Sequence, residues 1–188
     1  MKFILGLVIG LAIVPLAVFA YFVSGRAPVA TSAEAMPFEK MLAHKALDAR
    51  VEKEAPKTVP MAADEANYLA GAEVYKEHCE VCHGMASGEP TAIAKGEFPR
   101  PPKLLQGKGV TDDEPGETYW KVANGIRLTG MPGFRQALSD AQMWQVSLLL
   151  ADADKIPEPV KQLLMPPVPL PTSSKSIPAG PSGATSTR

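Results

Sequence analysis

The sequence predicts an all-α protein, and three observations carry that expectation. An uncharged apolar run near the start is long enough to cross a bilayer as a helix. Farther along, apolar residues recur at three- and four-residue spacing behind residues suited to cap a helix. Around the only two cysteines there is no alternating Val/Ile-rich run of the kind a half-buried strand needs.

The elements follow in chain order. Phe3 to Val23 is a 21-residue stretch without a charge. At ~1.5 Å per residue it spans a hydrocarbon core of ~30 Å, and Pro15 is tolerated in such a helix. The rival is a secretory signal peptide cleaved after Val18-Phe19-Ala20. The run, however, exceeds a usual signal core of about 7–15 residues and continues past that site. Residues 1–23 are therefore expected to be an N-terminal transmembrane anchor, with the signal peptide as alternative. Residues 24–61, punctuated by Pro28, Pro37, Pro56 and Pro60, read as a stalk that is partly helical over Phe38 to Lys53. As a solvated coil it would reach on the order of 30–40 Å.

Asp64 suits an N-cap, Glu65 a first turn, and Leu69, Ala72 and Tyr75 recur at helical spacing up to Cys79. Gly71 inside that helix costs about 0.5–1 kcal/mol relative to Ala, which a closely crossing helix would explain. Residues 80–111, rich in Gly and Pro, read as a long loop, either ordered around something or disordered, and Phe98, Leu104 and Leu105 favour the first. Glu117 to Ala123 is a short helix ended by Asn124-Gly125. Ser139-Asp140-Ala141-Gln142 is a capping box, with Leu138 and Met143 as its staple, and opens a helix through Trp144 to about Ala153. From Ile156 the chain turns to Pro, Ser, Thr, Ala and Gly. Pro157 and Pro159 are expected to stop further helix, and residues 157–188 read as a disordered or polyproline-like tail.

The chain has 188 residues and a formal net charge of −1, which argues against nucleic acid as a partner. Residues 62–156 hold 14 acidic against nine basic side chains, a net −5 that predicts docking to a basic partner surface.

The chemistry lies in Cys79-Glu80-Val81-Cys82-His83, which uses both cysteines and one of three histidines. Two thiols separated by two residues can add to the two vinyl groups of one haem, and the adjacent imidazole supplies an axial ligand. A redox dithiol would expect a strand-helix-strand setting, and a structural zinc site would want four ligands, for which no second cysteine pair exists. One covalent haem c held through Cys79 and Cys82 is therefore expected, with His83 on the metal. For the opposite face, Met131 stands between Gly130 and Pro132, which forbid regular helix and suit an extended loop. Met85 lies only two residues past His83, Met143 belongs to a helix start, and Met36, Met41, Met61 and Met165 lie in flanks. His78 and His44 read as surface or packing residues.

With Gly71 and Tyr75 before the motif, the prolines at 99–102, Tyr119-Trp120-Lys121-Val122-Ala123-Asn124-Gly125-Ile126, Thr129-Gly130-Met131-Pro132 and Trp144, residues 62–156 resemble a class I (monohaem) cytochrome c of the bacterial membrane-anchored or periplasmic type. The resemblance implies class I cytochrome c-like helices wrapped around one covalent haem, the first and last crossing. It implies His83 as proximal and Met131 as distal metal ligand, and a backbone carbonyl near Pro101 that orients the His83 ring. It also implies Trp120 and Arg127 as partners of the haem propionates. Their plain alternatives are a core aromatic and a solvated cation.

Iron with both axial positions filled suits one-electron transfer rather than bond making. The expectation is thus an electron carrier and not an enzyme. The resemblance implies a single-pass protein of the bacterial cytoplasmic membrane with its haem domain on the periplasmic side, shuttling between respiratory-chain redox partners, with no small-molecule substrate. The alternative is a fixed haem c subunit of a larger membrane oxidoreductase complex. Peroxidase or gas-binding chemistry would need Met131 to detach.

Overall fold

A computed structural model describes residues 2–106 and 112–165. All regular structure in the described residues is helical. Helix α1 (Lys2–Val23) is uncharged after Lys2, and its Gly6–Val23 span is not buried, so its length and composition suit a membrane span, as they would a signal sequence. The prolines of residues 166–188 lie outside the described residues.

The core is built by α3 (Glu65–His78), α6 (Pro115–Asn124), α7 (Asp140–Ala151) and α8 (Glu158–Leu163). Asp64 caps α3 as expected, its carboxylate accepting from the Asn67 amide at 2.9 Å. Tyr68, Ala72 and Tyr75 then point one buried face at α7. The two helices cross at Gly71, where any Cβ would run into the backbone carbonyl of Gln145. Contact of main chain with main chain leaves no room there for a side chain. Ser139 and Gln142 close the capping box that starts α7. Met143, Trp144, Val146, Leu148, Leu149 and Leu150 of α7 are all buried, because α3 and α6 flank it. Pro at the first position of α6 costs no hydrogen bond. Tyr119 of α6 stacks on Trp144 with ring centroids 4.3 Å apart, and its hydroxyl donates to Asp140.

Two expectations need correction. The segment read as the start of the tail forms α8, which packs on α3 with Val160 and Leu164 buried. Pro159 does not stop it, because Pro157 is the N-cap and Pro159 sits in the first turn, where no amide has an intrahelical acceptor to lose. The stalk contains the expected helix but is not solvated all round. Helix α2 (Glu39–Glu54) lies against α6, burying Val51 and Ala55. Gly116 of α6 is pressed onto the Pro56 carbonyl so closely that no Cβ would fit. Ahead of α2, Pro28 to Ala35 line a small recess together with Phe98, so the linker also touches the loop after the cysteines.

Candidate functional site

The candidate site forms where α3 ends. Cys79 closes α3 and caps α4 (Glu80–His83), so Cys79, Cys82 and His83 share one tight turn. The Cys82 and His83 amides both donate to the Cys79 carbonyl, at 3.1 and 2.9 Å. Gly84 leaves the turn at φ +74, a conformation glycine adopts without a Cβ penalty. Tyr75, fully buried, donates its hydroxyl to the Gly84 carbonyl at 2.6 Å and ties the turn to the core. Burial raises the Tyr75 phenol above its usual range, keeping it a donor.

The next loop supports the turn from outside. Thr91 caps α5 (Ala92–Gly96) and donates its hydroxyl to the Val81 carbonyl at 2.6 Å. The carbonyl that meets His83 Nδ1 is that of Pro102, at 2.8 Å, one residue beyond the expected Pro101. A carbonyl can only accept, so Nδ1 carries the proton and Nε2 keeps its lone pair for a metal. Burial lowers the His83 pKa, which also favours the neutral ring a metal needs. Burial pushes the Cys79 thiol up to about 12. The Cys82 thiol is raised too, first by burial and then by its bond to Glu97 at 3.3 Å.

Met131 comes from the loop that follows α6. Its loop is pinned to the end of α6: the Ile126 amide donates to the Met131 carbonyl at 3.1 Å and the Phe134 amide to the Val122 carbonyl at 2.9 Å. Thr129 accepts from the Met131 amide at 3.1 Å. Gly125 lies at φ +68 with backbone of residues 131–133 where a Cβ would be. The packing is therefore glycine-specific in both conformation and space. Met131 is half-buried against the same core as Cys79, Leu104 and Leu105. The ring of Phe134, three residues on, meets His78 edge to face at 6.0 Å.

Glu97, which the sequence did not single out, links the two sides. It accepts from Cys82, and its carboxylate fills the space where Gly130 would carry a Cβ. The two remaining expected residues stand apart from this group. Trp120 Nε1 donates to Glu54 of α2 at 3.2 Å. Arg127 is exposed and makes no side-chain hydrogen bond or ion pair among the described residues.

The donor set fits a haem c. Two free thiols and an imidazole with its Nε2 unengaged share one turn, and a thioether is held on a loop that packs against the same core. Among the described residues no cluster of three His, Cys, Asp or Glu exists that would compete as a metal centre.

Comparison with known proteins agrees with this chemistry. Residues 66–148 match the family described as cytochrome C oxidase, cbb3-type, subunit III. No curated protein matches the chain. Among solved structures, one similar chain belongs to the reducing HAO-like protein complex Kustc0457/Kustc0458 of Kuenenia stuttgartiensis, at 24% identity and a TM-score of 0.44. The alignment covers 54% of this chain and about half, 52%, of that one.

Proposed function

We propose, on the premise that residues 66–148 are a class I c-type cytochrome domain, that this chain is a membrane-tethered one-electron carrier with a single His/Met-ligated haem. The observation that carries the reading is the meeting of the Cys79–His83 turn and the Met131 loop on one core. Haem supplies a metal that changes oxidation state by one electron without making or breaking bonds to substrate.

The chain's own residues do the rest. Cys79 and Cys82 hold the group covalently. The Pro102 carbonyl fixes the His83 ring and its tautomer, so Nε2 faces the metal in one orientation. Thr129 and Gly125 fix the Met131 backbone, so its thioether would be held ready as a ligand to the metal. Cys79 and Met131 pack against the buried core that holds Trp144, Leu148 and Leu149. Trp120 and Arg127 remain candidates for the propionates, and Trp120 would then exchange its Glu54 partner for one. Helix α1 anchors the domain on the periplasmic face, and redox proteins of a respiratory chain are the partners.

The optical spectrum of the purified protein tests the assignment. A haem that resists acid-acetone extraction, with a sulfur-to-iron charge-transfer band in the oxidised state, is expected. A colourless or extractable product would refute it. A fixed subunit is the second reading, favoured because the matching family is described as an oxidase subunit and because the stalk is docked rather than loose. A carrier purifies alone from detergent, whereas a subunit co-elutes with stoichiometric partners.

A further inference from the structure

Helix α2 has two apolar faces, and only one is used. Leu47 and Val51 lie on the side that meets α6. Met41, Leu42 and Lys45 turn away from that side, and Phe38, the N-cap, lines one recess with Met41 and Lys45. Phe38 is 70%, Leu42 60% and Met41 47% exposed. Three large apolar side chains in one contiguous patch signal a contact surface rather than chance exposure.

The surroundings say what covers it. A shallow cavity of about 590 Å³ opens here, with Met36, Phe38 and Met41 along its apolar part and Lys40, His44 and Lys45 on its rim. No carboxylate lines it. An apolar floor with a cationic rim is complementary to the phosphate and upper acyl chain of a phospholipid, the lysine stems lying on apolar surface while their ammonium groups reach the phosphate. Only residues 24–38 separate the patch from the end of α1, so the bilayer that α1 enters is within reach. The N-terminus of α2 is also locally fixed, since the Met36 amide donates to Glu39 at 2.7 Å and Phe38 adopts φ +64.

We propose that the Phe38–Met41–Leu42 face of α2 is a phospholipid-contact surface that seats the haem domain against its own membrane. It rests on the reading of α1 as a membrane anchor. Because the other face of α2 is fixed to α6 at Val51 and by the close approach of Gly116 to the Pro56 carbonyl, seating α2 also restricts the orientation of the domain relative to the bilayer. The tether then works as a strut, not as a free leash.

The test uses the full-length holoprotein in vesicles of phosphatidylethanolamine and phosphatidylglycerol. The photoreactive residue p-benzoylphenylalanine is placed singly at Phe38, Met41, Leu42 and, in α1, Leu11. After irradiation, adducts are identified by mass spectrometry. Lipid adducts at Phe38 and at Met41 or Leu42 are expected. If those positions give no lipid adduct, or capture a second copy or another protein instead, the proposal is overturned. Leu11 keeps the two readings apart: lipid adducts at Leu11 without any at the α2 positions sink this inference and leave the anchor standing. The absence of lipid adducts at Leu11 overturns the anchor reading and, with it, this inference.

Discussion

Gly71→Ala sets two physical effects against each other, and the structure decides the sign. Helix propensity alone favours the change, since Ala in a helix interior is better than Gly by about 1 kcal/mol. At Gly71, however, the new methyl meets the main-chain carbonyl of Gln145, not the end of a flexible side chain. Relief requires α3 and α7 to separate, and these two helices form the most extensive packing in the domain. Overpacking a close-packed core costs about 1–3 kcal/mol. A backbone obstacle puts this site at the upper end, so the net loss is about 2 kcal/mol after the propensity gain. For a domain of about 100 residues that lowers Tm by roughly 8–16 °C. Thermal unfolding of the holoprotein followed by circular dichroism measures it. An unchanged or raised Tm would refute the argument that main-chain contact at Gly71 holds the crossing together.

Three further outcomes are expected. Met131→Ala opens the distal position, so the reduced protein takes up carbon monoxide and its midpoint potential falls, while Met85→Ala changes neither; visible absorption and a potentiometric titration read both. Leu164→Ala costs about 2–4 kcal/mol in urea unfolding, because Leu164 is 1% exposed; a change under about 0.5 kcal/mol would mean that α8 is not part of the core. Burial and the hydrogen bond to Asp152 push the Tyr68 phenol up to about 12 from 10.0, so the folded state holds its proton more tightly than the unfolded state. Its stabilisation is complete below pH 10 and lost as pH rises from 10 to 12, so Tyr68→Phe should be less stable than the native protein at pH 8 and close that gap by pH 12. A gap that stays constant over this range would be the wrong result.

The local features were readable because their causes are local. A Cys-x-x-Cys-His turn needs only five consecutive residues, a capping box only four, and an apolar run only its own length. Gly130-Met131-Pro132 likewise announces an extended loop through the backbone limits of its own residues. The missed features all depend on what lies across the fold. Glu97 looks like any surface acid until folding carries it between Cys82 and Gly130. Val160 and Leu164 sit among prolines that read as tail, and only the apolar face of α3 makes their burial favourable enough to order a helix there. The acceptor for His83 moved from Pro101 to Pro102, because sequence names a loop while tertiary packing aims its carbonyls.

By itself the amino-acid sequence determined the helical class, the membrane-length apolar run and the candidate thiol, imidazole and thioether donors, since each is read from residues adjacent along the chain. Tertiary structure alone decided that α2 is docked on α6, that α8 belongs to the core, and which carbonyl and which carboxylate flank the donors. Those outcomes depend on burying surfaces distant in sequence, and a burial energy exists only once both surfaces are in place.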